Sequence, residues 1–275
     1  MSVEPPRTSD LSDASRRDTV LRVALPIVVL ALVVLAWELA VRLSNTPAYQ
    51  VPGPGLVFST LISDWPVLGT SLLVTLMTTF EALGLAIVGG VALAILFSQS
   101  RLIEYSLYPY AVILQVTPVI AIAPVLLIYL SPPIAVLACA WIVAFFPVLA
   151  NTTLGLASVD RNLIDLFALY GASRGQVLIH LRLPAALPSM LTGVRIAGGL
   201  SLIGAVVAEI AAGSAGAGSG LAFRIAESGY RLMIPRMFAA LLLLSLAGIA
   251  IFFLLSLLSH LVLHRWHESA LSAER

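Results

Sequence analysis

Residues 158–188 read SVDRNLIDLFALYGASRGQVLIHLRLPAALP and interrupt an otherwise apolar sequence. The stretches before and after carry almost no charge, whereas this one contains the polar side chains Asp160, Arg161, Asp165, Arg174, His180 and Arg182. Such a density of charge does not lie in the hydrocarbon region of a bilayer. We therefore expect these residues, called the polar segment below, to be held at one membrane face by the apolar stretches around them.

The first half of the polar segment has the pattern of an amphipathic helix. Apolar residues recur at the spacing of one helical face, namely Val159, Leu163, Leu166, Phe167 and Tyr170. Ser158 is suited to cap this helix, with Asp160 in the first turn. Gly171 is placed to end it, because glycine readily adopts the left-handed conformation found after many helices.

The second half of the polar segment predicts another short helix. Ser173 is an N-cap candidate, and Gln176 three residues later completes a capping-box pattern. Pro184 and Pro188 are expected to stop this helix, because proline lacks the backbone N–H and clashes with the preceding turn. The polar segment is therefore predicted to be two short helices joined at Gly171.

The composition is that of an integral membrane protein. Of 275 residues, 60% are hydrophobic and only 11% are charged, whereas soluble domains carry about a quarter charged residues. The net charge of +1 gives no strong attraction to nucleic acid. The single cysteine, Cys139, lies in an apolar run and is predicted to be a buried small hydrophobe rather than a reactive thiol.

The apolar runs predict an all-α membrane protein with six transmembrane helices, at about residues 23–41, 72–97, 103–130, 134–154, 191–212 and 237–263. The run at 103–130 is expected to be one span broken near residues 117–124, where Pro118 and Pro124 lie. The first run is interpreted as a retained anchor rather than a cleaved signal peptide. Ala82, Ala86, Gly90 and Ala94 form a small-residue stripe that favours close helix packing.

The domain organisation follows from these runs. We predict a disordered tail at residues 1–19, a transmembrane anchor at 20–42, an external loop at 43–69, a transmembrane core at 70–263 and a tail at 264–275. Both tails are expected in the cytoplasm, because this topology places most arginines there: Arg7, Arg16, Arg17, Arg22, Arg101, Arg161, Arg174, Arg182, Arg265 and Arg275. The polar segment is then cytoplasmic as well.

The polar segment resembles the cytoplasmic coupling loop of permease subunits of binding-protein-dependent ABC importers. That family's signature is Glu-Ala-Ala, three residues, Gly, nine residues and Ile-x-Leu-Pro. Here Asp165-Leu166-Phe167, Gly171 and Leu181-Arg182-Leu183-Pro184 stand at the same spacing, although only the acidic character of the opening survives. Gly171-Ala172-Ser173 and the Leu-Pro-Ala-Ala-Leu-Pro ending are similar to the nitrate, sulfonate and taurine group of these permeases.

The resemblance implies the type I ABC importer permease fold in a cell inner membrane. It implies a homodimer around a translocation path, two cytoplasmic ATPase subunits and an external solute-binding protein. ATP and Mg would be bound by the partner ATPase, and no cofactor by this chain. The residues that would couple to the ATPase are Asp165, Leu166, Phe167, Tyr170, Gly171, Ala172, Ser173, Arg174, Leu183 and Pro184. The substrate stays open among nitrate, sulfonates, taurine, pyrimidines and riboflavin-like compounds.

The chain is not expected to be an enzyme. The glycine-rich residues 213–220 lack the lysine of a phosphate-binding loop, since the chain has no lysine. His260, His264 and His267 share a helical face, which could suggest a metal site, but interfacial residues at a helix end are the preferred interpretation. No motif of a membrane protease is present. The remaining alternative is a secondary transporter, which is disfavoured because no internal repeat is visible.

Several polar residues within the spans are candidates for the translocation path. Glu209 continues a small-residue stripe, and two interpretations stay open: it lines the path or a gate, or it bonds arginine or backbone at a helix contact. Glu81 favours a structural role, and Glu38 lies near the outer interface. Other path candidates are Gln115, Thr117 and Asn151, although such residues more often bond a neighbouring helix. The spans contain no ring of cationic residues that would favour a binding site for anions.

Overall fold

The structure is a computed structural model that describes residues 8–213 and 218–264. Within these residues the regular elements are helices, joined by short turns, and one π-helical turn precedes α9. The elements are α1 (Thr8–Leu43), α2 (Pro54–Ser63), α3 (Trp65–Gln99), α4 (Arg101–Val116), α5 (Val119–Tyr129), α6 (Pro132–Ala157), α7 (Arg161–Leu169), α8 (Arg174–Val177), the π turn (Leu178–Arg182), α9 (Leu183–Ala212), α10 (Leu221–Tyr230) and α11 (Ile234–Leu263).

Five of these segments are long and apolar enough to cross a membrane. They are Ala24–Leu43, Trp65–Gln99, Pro132–Ala157, Arg174–Ala212 and Ile234–Leu263. Helices α4 and α5 supply a sixth if the bent pair is counted as one span. The predicted all-α membrane fold with six spans is confirmed in this sense.

The centre of the bundle is built from α3, α6 and α9, which pack closely because small residues line their contacts. The stripe of Ala82, Ala86, Gly90 and Ala94 is buried as predicted. A Cβ atom on Gly90 would lie 3.0 Å from Val148 Cβ on α6. Cys139 is also buried, as expected of a small hydrophobe. Such close contact stabilises helix association through van der Waals packing, because lipid provides no hydrophobic driving force between helices.

The loops in the structure are shorter than those predicted from the sequence. Helix α3 begins at Trp65 and α2 precedes it, so a large part of the predicted external loop at residues 43–69 is helical. Pro54 and Pro66 stand in the first turn of these helices, where a missing N–H costs nothing. Residues 8–19, predicted as disordered, are the start of α1, and residues 221–230, which lie between two predicted spans, form α10.

The prediction that Pro184 and Pro188 stop the second helix is wrong. The chain is helical from Arg174 to Ala212, and the π turn Leu178–Arg182 joins α8 to α9. Pro184 lies in the first turn of α9, directly after the π turn. The wider hydrogen-bond spacing of a π turn interrupts the ordinary ladder where the missing N–H of proline falls. The second half of the polar segment is therefore continuous with a membrane span.

The predicted break in the third span is confirmed, and it is sharp. Helices α4 and α5 meet at an angle of 99° at residues 117–118. Thr117 has an extended backbone, with φ −72° and ψ 124°, as expected for a residue before proline. The Thr117 hydroxyl donates to the carbonyl of Ile113 at 2.7 Å and so satisfies a group at the end of α4.

Candidate functional site

Helix α7 carries the first half of the polar segment, and its cap differs from the predicted one. The N-cap is Asp160, whose Oδ1 accepts a hydrogen bond from the Asn162 N–H at 2.9 Å. Ser158, the predicted cap, instead ends α6, where its N–H donates to the Gly155 carbonyl. A carboxylate at this position also interacts favourably with the helix dipole.

The turn after α7 has the predicted glycine geometry. Gly171 has φ +69°, a left-handed conformation that residues with a side chain rarely adopt. Around it, the Gly171 N–H donates to the Ala168 carbonyl and the Ala172 N–H donates to the Phe167 carbonyl, each at 3.0 Å. These bonds satisfy carbonyls that the end of the helix would otherwise leave free.

The capping box that begins α8 is also confirmed. The Ser173 N–H donates to Gln176 Oε1 at 2.8 Å, and the Gln176 N–H donates to Ser173 Oγ at 3.3 Å. Two backbone donors at the start of the helix are thus satisfied reciprocally. The direction in which the chain leaves the Gly171 turn is therefore fixed locally on both sides.

The polar segment presents apolar side chains to its surroundings. Leu169 and Tyr170 are each 84% exposed, and Leu166 is 44% exposed. Asp165 and Arg174 are exposed beside them, whereas Phe167 and Ala172 are half-buried. Leu169 was not among the predicted coupling residues, although it follows Leu166 by three positions, the spacing of one helical face.

The base of the polar segment is attached to the end of α3. Arg182 Nη1 donates to the Ser98 carbonyl at 3.3 Å. Between them lies a cavity of about 340 Å³ whose lining includes Ile164 of α7. Leu183 packs against the central apolar cluster, while Pro184 is exposed. Of the predicted coupling residues, these two therefore belong to the base of the segment rather than to its exposed tip.

The predicted path residues are not gathered at one place. Gln115 and Thr117 lie at the end of α4, Asn151 lies on α6 and Glu209 on α9. The amide of Asn151 donates to the Pro147 carbonyl of its own helix at 2.8 Å. Among residues 8–213 and 218–264, no hydrogen bond joins two of the four. Their role in the path stays a prediction.

Glu209 lies in a buried polar site at the bundle end opposite the polar segment. Its Oε1 accepts from Thr75 Oγ1 at 2.8 Å, and its Oε2 accepts from the Ala222 N–H at 3.0 Å. The Leu221 N–H donates to Thr75 Oγ1 at 2.9 Å. The carboxylate thus binds the start of α10, where backbone N–H groups and the helix dipole favour negative charge. These contacts match the helix-contact interpretation of Glu209.

The site around Glu209 combines a cavity with a close glycine contact. Glu209 also lines a cavity of about 230 Å³, together with Thr78 of α3 and Ser219. On its other side Gly220 is packed so closely that an added Cβ would lie 2.1 Å from Glu209 Cδ. Only glycine fits there without moving the carboxylate.

Ion pairs surround this site at the same end of the bundle. Arg236 Nε lies 2.5 Å from Asp64 Oδ2, and Arg224 Nη1 lies 2.7 Å from Glu227 Oε2. The hydrogen bond from Arg224 holds the pKa of Glu227 below its ordinary value of 4.5, against the opposing effect of burial, and the charge of Arg231 contributes. The Arg236–Asp64 pair joins α11 to the turn between α2 and α3, and Arg224 Nε donates to Ser71 Oγ at 3.1 Å, which joins α10 to α3.

The histidines of the last helix do not form a metal site in the part of the chain that the structure describes. His260 and His264 stack with ring centroids 6.0 Å apart, and His267 lies outside the described residues. Across those residues no group of three potential metal ligands comes together.

Comparison with known proteins identifies the family. The model described as binding-protein-dependent transport system inner membrane component matches residues 86–268, which include the polar segment. The formylaminopyrimidine transport permease protein ThiX of Halalkalibacterium halodurans is 33% identical over 86% of this chain and 94% of its own length. The nitrate import permease protein NrtB of Synechocystis sp. is 26% identical over 88% of this chain and 90% of its own.

A solved structure supports the fold. The crystal structure of an amino acid ABC transporter with histidines superposes with a TM-score of 0.60, at 19% identity, over 74% of this chain and 97% of that one. The helical architecture, the signature spacing around Gly171 and the family match agree with one another. The chain belongs to the family of binding-protein-dependent transport system inner membrane components, the permease subunits of ABC importers.

Proposed function

We propose that this ABC importer permease docks its cytoplasmic ATPase subunits through the polar segment and works as one half of a homodimer. The ATP and Mg are bound by the ATPase and none by this chain. An external solute-binding protein delivers a small solute to the opposite end of the bundle. The protein lies in the cell inner membrane with both termini and the polar segment in the cytoplasm.

The exposed apolar tip of α7 is the observation that carries this proposal. Leu169 and Tyr170 are almost fully exposed although they lie on a segment too charged to enter lipid. Exposed apolar side chains on a rigid, capped helix are typical of a protein contact, where aromatic anchors contribute much of the binding free energy. The neighbouring Asp165 and Arg174 would add polar specificity to that contact.

The continuous helix from Arg174 to Ala212 offers a route by which docking could act on the membrane region. A displacement of α8 would pass through the π turn into α9 without an intervening flexible loop. ATP-driven movement of the ATPase subunits would thereby tilt a span that packs against α6 and α3. This route also speaks against a secondary transporter, in which a capped helix pair outside the membrane has no evident use.

The proposal is tested by truncating the tip of α7. We expect the double substitution Leu169→Ala and Tyr170→Ala to lower the amount of ATPase that co-purifies by roughly tenfold or more, because it removes two interface anchors. Uptake by the assembled importer should fall with it. Thermal stability in detergent should not change, since both side chains lack burial in the isolated chain.

The matched control is Leu102→Ala. Leu102 is 78% exposed near the same end of the bundle but lies on α4, outside the polar segment. Its truncation should leave ATPase co-purification at the wild-type amount. Wild-type recovery of ATPase with the double variant would contradict the docking proposal.

A further inference from the structure

Glu81 is a carboxylate in the middle of the membrane-spanning helix α3. It stands 16 residues after the start of α3 at Trp65 and 18 before its end at Gln99. At 1.5 Å per residue these separations are about 24 and about 27 Å. The hydrocarbon core of a bilayer is about 30 Å thick, so a bilayer centred on α3 would have Glu81 near the middle of its core.

The side chain of Glu81 faces away from the bundle core. It is exposed, and the buried residues of α3, such as Thr79, Leu83 and Ala86, lie on the opposite face. No hydrogen bond or ion pair with another described residue involves Glu81, whereas Glu209 has two partners. An unpaired carboxylate facing lipid is strongly disfavoured, so such residues face a water-filled cavity or a partner.

The face of α3 that carries Glu81 continues an existing cavity. Val74 and Thr78 line the cavity beside Glu209. Glu81 follows them at helical spacing, one turn nearer the polar segment. Beyond it, a Cβ on Gly84 would meet no heavy atom within 4 Å. Along this face of α3, toward the polar segment, the cavity is followed by the Glu81 carboxylate and then by open space at Gly84.

The charges of the central helices are arranged asymmetrically along the bundle. In α3, α6 and α9 the charged residues are Glu81, Arg195 and Glu209. The bond between Thr75 and Glu209 sets the two helices in register. From that level Glu81 is about 9 Å and Arg195 about 21 Å toward the polar segment, at 1.5 Å per residue. Glu81 therefore lies between Glu209, about 9 Å away, and Arg195, about 12 Å away, and is the charge of these helices nearest the middle of α3.

We propose that Glu81 lines the water-filled translocation path and makes it selective for neutral or cationic solutes over anions. This inference deepens the proposed function, because it assumes that the chain forms a solute path. A carboxylate in a water-filled path with low-dielectric walls attracts cations and hydrogen-bond donors and repels anions such as nitrate or sulfonates. The solute class is then one that offers amino or other N–H groups.

The position of Glu81 is tested by thiol labelling of the assembled importer in membranes. Cys139 is the only cysteine, so Cys139→Ala provides a cysteine-free background. In it, Glu81→Cys should react with the membrane-impermeant methanethiosulfonate ethyltrimethylammonium. The control Phe80→Cys lies at the same depth but faces the groove beside α11, and it should react at least about tenfold more slowly. Labelling of Glu81→Cys by lipid-soluble N-phenylmaleimide alone, or disulfide formation between copies without reagent access, would overturn the proposal.

The selectivity of the path is tested with a cysteine one turn away, at Thr78, in the presence and absence of the Glu81 carboxylate. In the same background, Thr78→Cys should react faster with the cationic reagent than with methanethiosulfonate ethylsulfonate. The ratio of these rates should fall by about fivefold when Glu81→Gln is added, since a nearby unit charge affects the two reagents oppositely. An unchanged ratio would overturn the selectivity.

These outcomes are separable from the test of the docking proposal. ATPase co-purification measures docking at the polar segment, while labelling rates measure water access and charge in the membrane region. Variants at residues 78, 80 and 81 are compared only where the ATPase co-purifies at the wild-type amount. A failure of the docking test with normal labelling would thus leave Glu81 in an aqueous path, and the reverse result would leave docking intact.

Discussion

The two ends of the bundle differ in which side chains they bury: one buries bonded polar groups, and the other leaves apolar side chains exposed. At the end that carries α10, Glu209 is buried and bonded to Thr75 and to the Ala222 N–H, with ion pairs around it. At the polar-segment end, the hydrogen bond from Arg182 to the Ser98 carbonyl joins the segment to α3. Apolar side chains there are left exposed.

Under the docking proposal, this difference separates a structural end from a recognition end. A satisfied, buried polar network fixes the positions of the elements that share it. Exposed apolar residues on a capped hairpin are typical of a surface that contacts another protein. Substitutions at the Glu209 end should therefore change the stability of the isolated chain, and those at the tip of the polar segment should change assembly.

The largest expected effect is that of Glu209→Ala. The substitution leaves the buried Ala222 N–H without an acceptor and should lower the free energy of unfolding by about 3 kcal/mol. Thermal unfolding of the purified chain in detergent measures this loss. The matched control is Glu81→Ala. It removes a carboxylate that has no partner among the described residues, so the free energy of unfolding should stay at the wild-type value. Equal stability of the two variants would remove the distinction between the ends.

A smaller effect is expected at the turn of the polar segment. Gly171→Ala places a side chain in a left-handed conformation and should cost about 1 kcal/mol in local stability. Gly175→Ala is the control: both sites have open space for a Cβ, but residue 175 is helical, where alanine is favoured. Hydrogen exchange of residues 161–177 should rise in the first variant only. Equal exchange in both would show that the turn does not depend on its glycine.

The contrast between the ends also explains what the sequence could predict. The turn at Gly171 and the capping box of Ser173 and Gln176 rest on neighbouring residues, so local pattern was sufficient. The break at Thr117 and the buried small-residue stripe were likewise readable from proline and helical spacing. These features depend on local backbone chemistry or on a period within one helix.

The features that escaped prediction depend on distant residues or on a choice between local rules. Thr75 and Glu209 are 134 positions apart, and nothing in either stretch indicates the other. Pro184 was interpreted as a stop because its missing N–H breaks an ordinary helix, whereas a π turn accommodates it. Asp160 and Ser158 both fit a cap, and the length of α6 decides between them.

The smallest expected effect concerns pH and the ion pairs near Glu209. The pKa of Glu227 is lowered in the folded protein, chiefly by the hydrogen bond from Arg224. The pairing therefore stabilises fully above pH 4.5, the ordinary value, and is lost as the pH falls through the lower folded-state pKa. Its contribution is at most about 1 kcal/mol for a pair near the surface.

The variant Glu227→Gln isolates this contribution from other carboxyl groups that titrate in the same range. Thermal midpoints of both proteins are compared between pH 6 and pH 3. The difference between wild type and variant should be constant above pH 5 and shrink as the pH falls below 4.5. A difference that grows on acidification would mean that protonation of Glu227 strengthens this end of the bundle, which the arginine contacts do not allow.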